Sequence, residues 1–140
     1  MRHQRIRNRL NQKPAHARML TRNLITSMLL YETLRTTKKR AMVIAPEIDR
    51  LITYAKSHEP HVAIRYLNAV VTDKNACRKV MEVFIKRYSK RNSGLTRVTP
   101  AGARIGDGAS LVDLAFVDGV NTVPETTEVP SKKTSPAKKK

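Results

Sequence analysis

Four stretches of the chain repeat apolar residues at spacings of three or four, the period of an amphipathic helix. The first begins at Pro14, a residue that suits the first turn of a helix. Its apolar positions are Ala17, Leu20, Leu24, Met28 and Tyr31. This spacing predicts a helix over residues 14–31.

The second stretch runs from Ala41 to Ala55 and contains Pro46. Because an internal proline removes one backbone hydrogen bond, we expect this helix to kink or to divide in two. Pro60 can open a third, short helix. Asp73 is a good N-cap for a fourth helix, which extends to about Tyr88 and ends within residues 89–94.

Three further segments favour extended structure. Residues 32–37 are short and rich in threonine, and lead into a capped helix start at Thr36 or Thr37. Residues 95–99 and 111–117 are β-branched or apolar, with a glycine-rich connection between them. The predicted order is α-β-α-α-α-β-β, within one α/β (α+β) domain over residues 14–117.

The two ends of the chain differ from this domain. Residues 1–13 show no periodic apolar pattern and predict an irregular basic arm. Residues 118–140 are a lysine-rich mixture with too little apolar content to fold, which predicts a disordered tail.

The charge of the chain is strongly positive and unevenly distributed. The chain has 28 Lys and Arg against 11 Asp and Glu, a net charge of +17, and Glu32 is the first acid. Such a basic arm favours a polyanionic partner, with nucleic acid as the leading class. An anionic membrane would need a bulky apolar face with Trp or Phe, which the basic region lacks. Aromatic residues make up only 4% of the chain, which argues against an aromatic platform for single-stranded bases and favours phosphate and shape contacts.

Other kinds of site find little support in the sequence. An arginine-rich, acid-poor beginning is also typical of an organelle transit peptide, but here it runs unbroken into the first predicted helix. Cys77 is a lone cysteine, which indicates a reducing compartment. His58 and His61 have no further ligands at metal-binding spacing, and the glycine-rich segment 102–108 lacks the Lys-Ser/Thr of a P-loop. We therefore expect no enzyme, no cofactor and no small-molecule substrate.

Several short motifs together resemble the family of bacterial large-subunit ribosomal protein seventeen, from Met1 to about Val117. They are Met1-Arg2-His3, His16 with Arg18, Arg22-Asn23-Leu24, Arg35-Thr36-Thr37, Leu51-Ile52-Thr53 with Ala55-Lys56, Lys86-Arg87-Tyr88 with Arg91, Gly94 with Thr96-Arg97-Val98, and Gly106-Asp107 with Ala109. Departures include Arg7 where the family often has glycine and Leu95 where it has tyrosine.

The resemblance implies a two-layer fold in which helices pack on one side of a small three-stranded mixed sheet. It also implies binding to large-subunit ribosomal RNA near the outlet of the polypeptide tunnel, beside other ribosomal proteins, in the cytoplasm. The candidate RNA contacts are basic, threonine and glycine positions of the motifs and of the arm, together with the two lysines that follow the Arg35-Thr36-Thr37 turn. They are Arg2, His3, Arg5, Arg7, Arg9, Lys13, His16, Arg18, Arg22, Arg35, Thr36, Thr37, Lys38, Lys39, Arg91, Gly94, Thr96, Arg97, Arg104 and Gly106.

Two rival functions remain open at this point. The ending Ser-Pro-Ala-Lys-Lys-Lys is typical of a nucleoid-type DNA-binding protein. An RNA-modifying enzyme is the other rival, although no acid pair, metal cluster or cofactor loop stands at usable spacing.

Overall fold

A computed structural model describes residues 8–118; the first part of the arm and almost all of the tail lie outside the described residues. The order of elements agrees with the predicted order. The helices and strands are α1 (Pro14–Tyr31), β1 (Thr33–Thr37), α2 (Lys38–Ser57), α3 (Pro60–Val70), α4 (Lys74–Lys79), a π-helical segment (Val80–Phe84), α5 (Ile85–Arg87), β2 (Thr96–Ala103) and β3 (Ser110–Phe116).

Helix α1 has its predicted bounds and ends in a left-handed residue. Glu32 takes φ 63°, and its backbone N–H donates to the carbonyl of Met28 at 2.9 Å. This conformation satisfies one carbonyl of the last turn and reverses the chain into β1. The carboxylate of Glu32 accepts from Arg87 Nη1 and lies against Lys79 Nζ, each at 2.7 Å. The turn between α1 and β1 is thereby tied to the fourth helical region.

Helix α2 is continuous through Pro46, so of the two outcomes expected from an internal proline, a kink or a division, the division does not occur. In a regular helix the carbonyl of Met42 would accept from the N–H of residue 46, but Pro46 has no N–H to donate. Both Met42 and Pro46 are exposed. Both lie on the outer side of the helix, where water can bond the freed carbonyl. The buried side of α2 keeps an uninterrupted apolar stripe.

The fourth helical region is less regular than its sequence pattern predicts. Its N-cap is Asp73, as expected, and the Asp73 carboxylate accepts from the N–H of Asn75 at 2.6 Å. After α4 the backbone widens into the π-helical segment before α5 closes the region. A π-helical turn accommodates an extra residue and shifts the side chains that follow it.

The sheet is antiparallel throughout, in the order β1-β3-β2, so the expected mixed sheet is wrong. The reason lies in the connections: residues 104–109 join β2 and β3 as a hairpin, and β1 pairs antiparallel with the free edge of β3. Strand β2 is longer than predicted and includes Pro100, next to a register shift between Pro100 and Gly102. Proline fits there because β2 is an edge strand and the shift marks a bulge.

The core lies between the helices and one face of the sheet. Val112, Leu114 and Phe116 of β3 are buried on this face, and Phe116 packs against Phe84 with ring centroids 4.6 Å apart. The opposite face of the sheet has no helix in the described part of the chain and carries polar and basic side chains. The result is the predicted two-layer α+β fold with one open sheet face.

Within residues 8–118, no helix is long and apolar enough to cross a membrane. The same residues contain no group of three His, Cys, Asp or Glu side chains placed to hold a metal ion. His61 lies 3.4 Å from the carboxylate of Glu59, and the Nδ1 of His58 lies 3.1 Å from the carbonyl of Tyr54.

Candidate nucleic-acid interface

The described part of the basic arm lies against the first helix. Residues 8–13 are non-helical and mostly exposed, with Leu10 half-buried. Arg9 lines a shallow groove with Arg18 of α1, Val43 of α2 and Val70 of α3. The charge of the arm is therefore continuous with that of α1. The candidate residues Arg2, His3, Arg5 and Arg7 lie outside the described residues.

The candidate RNA contacts on α1 are of two kinds. His16 and Arg18 are exposed and available to a ligand. Arg22 is half-buried, and its Nε donates to the carbonyl of Val70 at 3.0 Å. Because Val70 is the last residue of α3, Arg22 binds the negative end of that helix and ties it to α1.

The sheet register brings Arg35 and Arg97 onto the same open face. Arg35 stands opposite Asp113, while Arg97 stands opposite Ala115, two positions further along β3. The Arg35 guanidinium donates to both Asp113 oxygens, at 2.7 and 2.9 Å, and these hydrogen bonds lower the pKa of that carboxyl. Arg97 is exposed and has no hydrogen-bond or ion-pair partner within residues 8–118. Arg97 is therefore the better phosphate contact of the two.

The segment after Arg35 separates into buried and exposed members. The side chain of Thr36 is 8% exposed and lies on the helix-facing side of the sheet, so the structure does not support a direct RNA contact from it. Thr37 occupies the N-cap position of α2, but its side chain makes no capping hydrogen bond. Lys38 and Lys39 follow in the first turn of α2 and are exposed.

The turn over residues 89–95 is held in place by α2. The backbone N–H groups of Gly94 and Leu95 donate to the two oxygens of Asp49, at 3.0 and 3.2 Å. Lys56 Nζ donates to the carbonyl of Arg91 at 2.8 Å. Gly94 has φ +66°, a conformation that favours glycine. Arg91 itself is exposed on this fixed turn.

Thr96, Arg104 and Gly106 have different surroundings. Thr96 is half-buried and pairs with Phe116 at the start of β2. Arg104 follows the other end of β2, seven residues beyond Arg97, which is roughly 23 Å along a strand. Its guanidinium pairs with Asp107, and hydrogen bonds from Arg104 hold the pKa of Asp107 well below its usual range. Gly106 takes φ +110° in the same loop.

Together these positions form two basic regions. The first consists of residues 8–13 with His16 and Arg18; the second runs along the open sheet face from Arg97 to the Arg104 loop, with Lys38 and Lys39 beside its far end. Sequence reasoning missed Asp49 and Lys56, which hold the 89–95 turn. Their partners lie at least 35 residues away in sequence, so no local pattern identifies them.

Comparison with known proteins identifies relatives over most of the chain. Residues 20–117 match the family model described as Ribosomal protein L17. A protein named large ribosomal subunit protein bL17 from Pelagibacter ubique is 35% identical over 140 residues, covering 100% of this chain and 94% of the relative.

Other relatives with the same name agree. The protein from Hyphomonas neptunium is 37% identical over 84% of both chains. The protein from Chloroflexus aggregans is 36% identical over 84% of this chain and 100% of its own length. Because the family model covers more than half of the chain and these relatives are aligned over most of it, this chain belongs to the ribosomal protein L17 family.

Proposed function

We propose that this protein is a structural constituent of the large ribosomal subunit. It binds large-subunit ribosomal RNA through phosphate and shape contacts near the polypeptide exit tunnel, with other large-subunit proteins as neighbours. It works ribosome-bound in the cytoplasm and as a structural component, not as an enzyme. Membership in the L17 family supports this proposal, since the relatives are named as large-subunit proteins.

The observation that carries the proposal is the charge at the starts of α1 and α2. Neither helix has an acid in its first turn. Lys13 is the N-cap residue of α1, and α2 begins with Lys38 and Lys39. A cation at a helix N-terminus opposes the helix dipole and is unfavourable by about 0.3–1 kcal/mol at an exposed site. A bound polyanion reverses this penalty, because its phosphates interact favourably with both the lysines and the dipole.

The open sheet face adds a second area for the same ligand. Arg97 offers a guanidinium that no residue in the 8–118 range neutralises, and Thr99 stands on the same face, opposite Asp113. Arg35 and Arg104 already pair with Asp113 and Asp107. We expect these two ion pairs to contribute little to phosphate binding, because their charges are already neutralised. Arg97, Lys38 and Lys39 supply most of it.

The proposal is tested by the salt dependence of RNA binding. The double variant Lys38→Ala/Lys39→Ala removes two exposed cations, so the slope of log K against log salt should fall by about 1–2 on a large-subunit rRNA fragment. The matched control is Lys74→Ala/Lys86→Ala, which removes two exposed lysines from the fourth helical region. An equal effect of both variants would mean that only overall charge matters.

Two further experiments address the partner and the arm. The intact protein should co-sediment with large subunits through a high-salt gradient and should prefer structured rRNA to duplex DNA; a preference for DNA would overturn the proposal. Deletion of residues 1–13 should weaken rRNA binding and lower its salt slope. Unchanged binding after the deletion would exclude the arm as a contact.

A further inference from the structure

The outer edge of β1 presents a row of backbone groups to its surroundings. The sheet order β1-β3-β2 gives β1 a neighbouring strand on one side only. On that inner side, the N–H of Phe116 donates to the carbonyl of Glu32 at 3.2 Å. Hydrogen-bonded and non-bonded pairs alternate along an antiparallel ladder, so every second residue of β1 turns its N–H and its carbonyl outward. By the register of the two strands, the outward-facing residues are Thr33, Arg35 and Thr37.

These outward groups are open, and the edge itself is regular. In the described part of the chain, no hydrogen bond involves the N–H or carbonyl of Thr33 or Arg35, or the N–H of Thr37. Strand β1 contains no proline, and its register with β3 has no shift. On the other edge strand, β2, the same alternation places Pro100 at an outward position, where it has no N–H to donate. The β1 edge is therefore the better of the two for accepting another strand.

The backbone groups of this edge suit a polypeptide better than a nucleic acid. Three N–H donors alternate here with the carbonyl acceptors of Thr33 and Arg35. Phosphates accept hydrogen bonds and donate none, so a phosphate contact would use the N–H groups and leave both carbonyls without a donor. An extended polypeptide carries donors and acceptors at the same two-residue repeat and can pair with all of them.

The side chain of Arg35 indicates what the added strand should carry. Its Nε and Nη2 donate to the two oxygens of Asp113 at 2.7 and 2.9 Å, whereas its Nη1 has no partner between residues 8 and 118. The side chain is 59% exposed. A residue directly opposite Arg35 on an added strand has its Cβ about 5 Å away, so a carboxylate there can accept from Nη1. On the helix-facing side, Leu34 is half-buried and favours an apolar neighbour.

A second copy of the chain fits these requirements poorly. Two β1 strands that pair antiparallel about their centres place Arg35 opposite Arg35, and like charges directly opposite each other destabilise a strand pair. Pairing of β1 with the β2 edge of another copy meets Pro100 and the register shift that follows it. The occupant is therefore expected to be a different polypeptide.

We propose that the outer edge of β1 binds an extended segment of a neighbouring large-subunit protein, which becomes the fourth strand of the sheet. The segment alternates apolar and polar residues and places Asp or Glu opposite Arg35. Backbone pairing supplies the affinity, and the neighbours of Leu34 and Arg35 supply the selection. The inference rests on the proposed function, because assembly into the large subunit brings such a neighbour, and it adds a protein contact to the RNA contacts.

Amide hydrogen exchange of the free, full-length protein tests whether the edge is open. In nuclear magnetic resonance spectra, the amides of Thr33 and Arg35 should exchange faster than those of Leu34 and Thr36 by on the order of 100-fold, because only the latter two bond to β3. Slow exchange at all four positions would show that residues 119–140 or a second copy already cover the edge, and would overturn the proposal.

Photo-crosslinking inside the large subunit identifies the occupant. Benzoylphenylalanine replaces Thr33 in the full chain, which is then reconstituted into large subunits and irradiated. The matched control carries the probe at Thr99, a threonine on the same sheet face but on the opposite edge strand. The probe at Thr33, unlike the control, should crosslink to a peptide of another large-subunit protein with alternating apolar and polar residues and an Asp or Glu. Crosslinks only to rRNA, to a second copy, to the chain's own residues or to a peptide without an acid would overturn the proposal.

Two substitutions at Thr37 measure one hydrogen bond of this edge. Thr37 has φ −73°, a value that proline adopts without strain. Thr37→Pro removes the outward N–H, whereas the matched control Thr37→Ala removes the same hydroxyl and keeps the N–H. Thr37→Pro should dissociate from reconstituted large subunits roughly 5- to 50-fold faster than Thr37→Ala, because a carbonyl of the added strand loses its donor. Equal dissociation rates would refute backbone pairing at this edge.

The outcomes separate this inference from the proposed function. Circular dichroism shows whether both Thr37 variants are folded; if Thr37→Pro does not fold, the crosslink at Thr33 decides. Normal incorporation of the wild-type protein, with no protein crosslink from the Thr33 probe, would refute the strand site and leave the proposed function intact. Failure of the wild-type protein to enter large subunits would refute the proposed function itself.

Discussion

Replacing Glu32 by glutamine removes the only negative charge from a cluster that links α1, β1 and the fourth helical region. The Glu32 side chain is 16% exposed and lies 2.7 Å from both Lys79 and Arg87, which are 25% and 24% exposed. Glutamine has nearly the same shape, so the change isolates the charge. Both cations then stay half-buried without their counter-ion.

The expected cost follows from this burial. Breaking a fully buried ion pair by removing one partner costs about 3–5 kcal/mol. Partial exposure of all three side chains reduces that figure, so we expect Glu32→Gln to lower the free energy of unfolding by about 2 kcal/mol. For a domain of this size the midpoint of thermal unfolding should fall by about 8 °C.

The effect should also depend on pH. Burial alone would raise the pKa of Glu32, but hydrogen bonds from Arg87 and Lys79 outweigh it and lower that pKa from its ordinary value of 4.5. Because the pKa of Glu32 is lower in the folded protein than in the unfolded chain, its carboxylate contributes its full stabilisation at any pH above the unfolded-state pKa. This stabilisation is lost as the pH falls through the folded-state pKa. The difference between wild type and Glu32→Gln should therefore be constant near pH 7 and shrink below about pH 4.

Urea unfolding followed by circular dichroism at several pH values measures this difference. The matched control is Glu82→Gln, because Glu82 is exposed and has no ion-pair partner within residues 8–118. The control should change the free energy of unfolding by less than about 0.5 kcal/mol. Equal effects of the two variants at pH 7, or a Glu32 effect that persists unchanged at low pH, would refute the reasoning.

Three further predictions concern single positions. Arg97→Ala should lower the salt slope of rRNA binding by about 1 without changing stability. Arg35→Ala should lower this slope less, because Asp113 already neutralises Arg35. Filter binding at several salt concentrations compares the two variants. Gly94→Ala should destabilise the fold by about 1–2 kcal/mol in urea unfolding, since alanine is strained at φ +66°. Burial raises the pKa of the Cys77 thiol, so iodoacetamide should modify it slowly in the native protein and rapidly in urea; rapid native modification would contradict its burial.

Much of the fold was predictable because local patterns agree with tertiary structure. Pro14 and the apolar repeat give both ends of α1, Asp73 gives the start of the fourth helical region, and the order of elements follows from alternating periodicities. The π-helical segment was not predictable, because its extra residue leaves the apolar spacing of Val80 to Tyr88 compatible with a regular helix. The antiparallel sheet also required the structure, since the pairing of β1 with β3 joins residues 78 positions apart.

The exposure of the candidate RNA contacts was predictable where charge alone decides it. Arg18, Lys38, Lys39 and Arg97 are exposed as expected. Sequence cannot show that Thr36 points into the core, because a strand of five residues does not by itself reveal which of its faces is covered.

Contacts between distant residues explain the remaining differences. The sequence does not show that Asp113 and Asp107 neutralise Arg35 and Arg104, since pairing depends on side-chain geometry and, for Arg35, on the sheet register. Tyr54 and Tyr66 lie 12 positions apart on different helices, and only the packing of α2 against α3 brings their rings together.

The outer edge of β2 influences whether copies of the free protein aggregate. An exposed strand edge of eight residues can pair with the same edge of another copy and start aggregation. Here Pro100 withholds one backbone N–H, the bulge at Pro100/Gly102 distorts the edge, and Arg97 adds a charge near its start. These features oppose sheet extension between copies, so the free protein can remain monomeric in the interval between its synthesis and its incorporation into a larger assembly.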